Sequence, residues 1–388
     1  MLYFDYNATA PLERAAADAW LEAAREFPGN PSSPHRLGTR AELALDRARQ
    51  SLAHILGCES EALVWTSGAT ESANTVLRHF AATLPADQEV WVSPTEHPCV
   101  IETARHLFGP RCVSPRVNAD GQLDLGWIQE QLRARRPGFV ACMAANNETG
   151  VLQPWRECAA LLQHQHQIPL VCDATQWVGR NPALGLGKCS FLFGSGHKLG
   201  APRGTGFLKC PPGARLEPLL LGGAQEEGRR SGTENVAGAV AFVAMLEICE
   251  QRIRGDRSPV QDEQTIALKL KLKLEQRAQF ERRLLERLPG ALIVGADAPR
   301  LWNTVSALMP RTDCQQRWVV KLDRLGAAVS TGSACASGKE KPSHVLLAMG
   351  YEPADASRAL RFSCGWETTP SDWDRLLDHL EQAWLALR

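Results

Sequence analysis

Between residues 63 and 210 the chain repeats one pattern: a short apolar run, a polar turn, then a helix-prone stretch. Leu63-Val64-Trp65-Thr66 leads into Ser67-Gly68-Ala69-Thr70-Glu71-Ser72 and a helix through about residue 82. Residues 89–93 lead into Thr95-Glu96-His97 and a helix after Pro98. Residues 139–143 end in N-N-E-T-G (146–150), and residues 168–172 end in Asp173-Ala174-Thr175-Gln176. Phe191-Leu192-Phe193 runs into Gly194-Ser195-Gly196-His197-Lys198, and residues 204–210 are expected beside it as an antiparallel neighbour. Strands alternating with helices predict a mostly parallel sheet covered on both faces. Ligands of such sheets bind beyond the carboxyl ends of the strands. Here those ends carry Thr70, His97, Asn147, Asp173, Gln176, Ser195, His197 and Lys198.

The flanks are less regular. Residues 3–9 form a polar-aromatic lead-in, 11–26 are helix-prone, and 29–35 are too rich in Gly, Pro, Asn and Ser for regular structure. Residues 40–56 carry apolar positions at helical spacing and stop at Gly57. A polar stretch at about 252–264 predicts a boundary before a second lobe. Residues 266–288 then read as an amphipathic Lys/Arg/Leu-rich helix with a solvated face, and 371–387 as a terminal one. A length of 388 residues suits two domains, or one large domain with a lobe attached.

Formal net charge is zero, which argues against a nucleic-acid surface. No run is long enough for a membrane span, and Met1-Leu2-Tyr3-Phe4-Asp5 lacks the features of a signal peptide. None of the twelve cysteines forms a C-x-x-C pair, so neither a metal site nor a redox dithiol is signalled. Their scatter suits the reducing cytoplasm, with Cys142 and Cys172 as small core residues. Neither G-x-G-x-x-G after a strand nor G-x-x-x-x-G-K-[ST] occurs, leaving dinucleotide and nucleoside-triphosphate sites unsupported.

A lysine where an apolar strand runs out is costly to bury for packing, but it can hold a carbonyl cofactor as a Schiff base. Pyridoxal phosphate makes four further demands, and the strand ends meet them. Gly68-Ala69-Thr70 offers a helix N-terminus and a hydroxyl to a phosphate. Asp173 offers a carboxylate to the pyridine nitrogen, and His97 a flat ring to stack. Gln176 or Asn147 offers a neutral donor to the phenolate oxygen.

T-S-G-A-T-E-S (66–72), T-E-H (95–97), N-N-E-T-G (146–150), D-A-T-Q (173–176), S-G-H-K (195–198), R-S-G-T (230–233), G-S-A-C-A-S-G (332–338) and R-F-S (361–363) together resemble the cysteine desulfurases. These are fold-type I pyridoxal-phosphate enzymes of the class V aminotransferase superfamily, and the motifs match the subgroup with the longer, mobile cysteine loop. The resemblance implies a large α/β domain (15–260) with a mostly parallel seven-stranded sheet between helices. A smaller α+β domain (1–14 and 261–388) would carry the cysteine loop and the carboxylate-binding arginine.

By the same resemblance Lys198 carries the cofactor, Asp173 pairs with its ring nitrogen, and His97 stacks and assists proton transfer. Asn147 and Gln176 bind near the phenolate. Ala69, Thr70, Ser195 and His197 hold the phosphate, joined by Thr233 from the other subunit of a homodimer. Arg361 clamps the substrate carboxylate, with Asn30 and Asn147 at that end. Cys335 takes the sulfur of L-cysteine as a persulfide, alanine leaves, and the persulfide passes to an acceptor protein for iron–sulfur assembly or thio-modification. A selenocysteine lyase, another class V aminotransferase and a non-catalytic sulfur-relay protein are the alternatives. Some housekeeping members carry a scaffold-docking tail beyond the last helix, and none is expected after Arg388.

Overall fold

The computed structural model describes residues 1–254, 268–312, 316–331 and 342–387. Cys335 and the whole 332–338 motif lie outside the described residues, as does most of the predicted boundary at 252–264.

Seven strands form the main sheet in the order Leu63–Thr66, Gly206–Lys209, Phe191–Ser195, Leu170–Asp173, Val140–Ala141, Val90–Val92 and Cys112–Val113. Gly206–Lys209 is antiparallel to both neighbours, as expected, and the other pairings are parallel. The apolar runs are continuous because both faces are covered. Leu170, Cys172 and Leu192 point into one core cluster, while Val171, Phe191 and Phe193 point into another on the opposite face. Cys142, Cys158, Cys172 and Cys189 are fully buried there as small apolar residues. Burying Trp91 or Phe193 completely contributes roughly 1.5–3 kcal/mol each.

A second sheet sets Thr304–Leu308 between Leu292–Ile293 and Ala359–Ser363, all antiparallel. Arg361 lies opposite Ser306 in this register. The N-terminal strand Leu2–Tyr3 runs parallel to Ala327–Ala328, and Asp5 bridges to Ser363. Sequence position 1–8 is thereby carried along the second sheet and across the strand ends of the first.

Two helix starts differ from expectation. The helix predicted from residue 11 runs Arg14–Glu26, because the preceding backbone bonds elsewhere: Ala10 N donates to His197 O at 2.8 Å and Glu13 N to Gly200 O at 3.0 Å. The helix predicted from residue 40 runs Arg36–Leu56, capped by His35 Nδ1, which accepts from Gly38 N at 3.1 Å. It ends at Gly57, whose φ of 72° is the left-handed conformation glycine allows. The later amphipathic stretches form Leu268–Arg287 and Pro370–Leu385.

Candidate active site

Lys198 ends a single 3-10 turn, Gly196–Lys198, directly after Phe191–Ser195. The turn requires glycine at 196, where a Cβ would come within 2.4 Å of Thr205 Oγ1. Lys198 Nζ donates to Asn7 O at 2.7 Å and Ala8 O at 2.6 Å. Burial, then the Arg361 and Arg180 charges, lower its pKa to about 8 against the opposing pull of Asp173 and Asp5.

Asp173 closes its strand almost fully buried, and its Oδ1 accepts from Thr175 N at 2.8 Å. His97 caps Pro98–Phe108, its Nδ1 accepting from Cys99 N at 3.2 Å. That bond leaves the proton of the neutral ring on Nε2. Burial lowers the His97 pKa, Lys198 and His344 lower it further, and Asp173 opposes them. Gln176 Nε2 donates to Asn7 O at 3.0 Å, while its Oε1 is buried without a partner. Asn147 contributes its carbonyl to Arg361 Nη1 at 2.9 Å.

At the other end the helix Ala69–Thr83 begins at Gly68, and no side chain caps it. Its first turn is therefore free to meet an anion. Gly206 packs on this turn so closely that a Cβ there would lie 2.6 Å from Gly68 Cα. Ser195 and His197 sit alongside, with His197 Nδ1 3.1 Å from Thr9 Oγ1. Burial, then Lys198, Arg203 and Arg180, hold His197 down to about 4, so it is neutral at pH 7.

One cavity of about 1230 Å³ collects Ala69, Thr70, His97, Asn147, Asp173, Gln176, Ser195, His197, Lys198 and Arg361. Arg361 is buried beneath it, with Nη2 on Asp5 Oδ1 at 2.7 Å and Nε without a partner. Two expected residues are elsewhere in this chain. Asn30 is exposed, its side chain accepting from Ser32 N at 2.9 Å. Thr233 borders a separate space of about 80 Å³ behind Ser67 and Gly204. Cys335 is outside the described residues.

Sequence reasoning missed Asp5 and Asn7, passed over as a polar lead-in, and also Glu96, Arg180, Arg203 and His344. Glu96 is fully buried beside Asp173, accepts from Met143 N, and has a pKa raised by burial and by that neighbouring charge. Its carbonyl oxygen lies 2.9 Å from His344 Nε2. An adjacent T-E-H and a downstream S-H were the available signals.

The residues present fit pyridoxal phosphate: an uncapped helix start for the phosphate, a buried carboxylate for the ring nitrogen, and a lysine amine lining the same cavity. Among the described residues no cluster of His, Cys, Asp or Glu could hold a metal ion, and no helix is long and apolar enough to cross a membrane.

The family description "Aminotransferase class-V" matches residues 2–376. A cysteine desulfurase of Gluconacetobacter diazotrophicus is 37% identical over 382 residues, covering 97% of this chain and 92% of the relative. One from Klebsiella pneumoniae is 36% identical over 378 residues, covering 96% and 90%. The solved structure of a NifS-like protein superimposes with a TM-score of 0.85 at 28% identity, covering 100% of both chains. With matches of this extent added to the strand-end geometry, the chain belongs to the class V aminotransferases and, among them, to the cysteine desulfurase family.

Proposed function

We propose that this chain removes sulfur from L-cysteine, with pyridoxal phosphate bound in the 1230 Å³ cavity, giving L-alanine and a persulfide on Cys335. The observation that carries the reading is the meeting of the Lys198 amine, the Asp173 carboxylate and the Arg361 guanidinium in one cavity. The phosphate would be held by Ala69, Thr70, Ser195 and His197, with Thr233 reaching the partner's site in a homodimer. Asp173 would hold the ring nitrogen, His97 would stack, and Gln176 and Asn147 would meet the phenolate. When bound, the cofactor supplies an electron sink for the pair released at the substrate Cα.

The chain's own residues do the rest. Arg361 orients the substrate by its carboxylate, with its planar fork already braced by Asp5 and Asn147. Asn30, exposed and outside the lining of this cavity, is given no step at the substrate. A lysine with a pKa near 8 can both accept and return a proton near neutrality, so Lys198 moves the Cα proton. His97, neutral with its proton on Nε2, assists that transfer. The Cys335 thiolate then attacks the substrate Sγ. The S–S bond forms as Cβ–S breaks, the electron pair left on the carbon skeleton takes up a proton, and alanine leaves.

We assign residues 15–260 to the cofactor-binding domain and 1–14 with 261–388 to the smaller one, a division supported by the pairing of Leu2–Tyr3 with Ala327–Ala328. The persulfide would pass to an acceptor protein in the cytoplasm. The test is Cys335→Ala. With L-cysteine and a thiol reductant the wild type should release sulfide and alanine in equal amounts. The variant should keep the cofactor's visible absorbance and lose sulfide release by about 10³-fold or more. Undiminished sulfide release would contradict the role of Cys335.

A further inference from the structure

Asn7 is almost completely buried, and every polar atom it has is engaged. Its backbone N–H donates to Ser363 Oγ at 2.9 Å. Its Nδ2 donates to Thr304 Oγ1 at 2.9 Å and Asn147 O at 3.1 Å. Its Oδ1 accepts from Asn303 Nδ2 at 3.1 Å, and its carbonyl accepts from both Gln176 and Lys198. Asn303 and Thr304 close a ring beneath it, Thr304 Oγ1 donating to Asn303 Oδ1 at 3.0 Å. Asn303 is itself fully buried, and its Nδ2 also reaches Cys364 O at 3.2 Å. A buried amide network satisfied at every atom has one arrangement, and it fixes the backbone that bears it. Here that backbone presents two consecutive carbonyls, Asn7 O and Ala8 O, to one amine.

We propose that Asn7, locked by Asn303 and Thr304, is a positioning residue whose turn forms a seat for the free Lys198 amine. The inference rests on the reading of Lys198 as the cofactor lysine. That lysine must leave the cofactor when substrate arrives, and it needs a defined place from which to move a proton. The carbonyl pair supplies it without a counter-ion that would quench the amine. The seat also offsets its surroundings. Arg361 and Arg180 disfavour the ammonium, Asp173 and Asp5 favour it, and the His97 and His197 rings face the same group. Two carbonyl acceptors stabilise the charged form, so loosening them should make the amine titrate lower.

The test uses the full-length chain freed of carbonyl cofactor with hydroxylamine. Trace acetylation of Lys198 is followed by mass spectrometry of its peptide from about pH 6 to about pH 11, a span that brackets ordinary lysine. The wild-type midpoint should fall near about 8. In Asn303→Ala it should drop by about one unit, making labelling at pH 7 about fivefold faster. Thr304→Val, which keeps the volume, should move it the same way, and Thr304→Ser should restore it. Lys209 serves as the internal reference and should not change. A purely structural role would lower the melting temperature and leave the Lys198 midpoint in place, which would overturn the proposal. If Asn303→Ala does not fold, Thr304→Val decides. Failure of the wild type to bind pyridoxal phosphate would instead overturn the proposed function, and the midpoint would still be readable.

Discussion

Lys198, half-buried, and Lys209, buried, stand at opposite ends of two neighbouring strands of the same sheet. Lys198 follows the strand Phe191–Ser195, and Lys209 ends the antiparallel strand beside it. Both amines are caught by pairs of backbone carbonyls, Lys209 by Cys189 O at 2.6 Å and Ser190 O at 3.4 Å. Burial lowers the pKa of both. The difference lies in what else surrounds them. Around Lys209 the neighbouring groups are the thiols of Cys58, Cys189 and Cys210, all of which oppose the lowering. Around Lys198 two guanidinium groups reinforce it, and the amine opens on a large cavity. Carbonyl capture is common to both amines; the neighbouring cations and the open volume distinguish Lys198.

The contrast can be broken most forcefully by removing each lysine. Lys198→Ala should abolish the absorbance that develops on adding pyridoxal phosphate and reduce alanine formation by about 10³-fold or more. Lys209→Met should leave the rate within about threefold and cost about 1–3 kcal/mol of stability, since the Cys189 and Ser190 carbonyls lose their donor. Equal losses of activity would erase the distinction.

A smaller effect is expected from the guanidinium proposed to hold the substrate carboxylate. Arg361→Lys keeps the charge and loses the fork that reaches both Asp5 and Asn147. The KM for L-cysteine should rise about tenfold to a hundredfold, as one charge-assisted hydrogen bond of about 1.5–3 kcal/mol is lost, with kcat moving less. A change confined to kcat would remove Arg361 from substrate binding.

The mildest probe is pH. An amine must be neutral to add to an aldehyde, and the Lys198 pKa is lowered from 10.5 to about 8. Stopped-flow incorporation of pyridoxal phosphate into the cofactor-free chain should therefore accelerate as pH rises to about 8 and then level. A rate still climbing toward ordinary lysine values would show that burial and the arginines do not act on this amine.

The sheet was legible in the sequence because both its faces are buried, which writes each strand as an unbroken apolar run ending in polar residues. Lys198, Asp173, His97 and Gln176 stood out for that reason: each interrupts such a run at its carboxyl end. Asn7 and Asn303 did not. They lie 296 positions apart, and their importance arises only when the N-terminal segment crosses the strand ends. Arg180 was hidden likewise, since its bond to Lys198 O at 3.0 Å follows from the loop path and not from any local spacing. The early helix start at residue 11 failed on the same ground. Helix propensity there was outweighed by backbone bonds to the lysine turn.

The most direct measurement is to add pyridoxal phosphate to the purified chain, trap the adduct with borohydride and map the labelled peptide. Stoichiometric label on Lys198, with Lys209 unmodified, is the expected result. Label on Lys209, or label spread over surface lysines with Lys198 bare, would contradict the assignment of Lys198 as the residue that holds the cofactor.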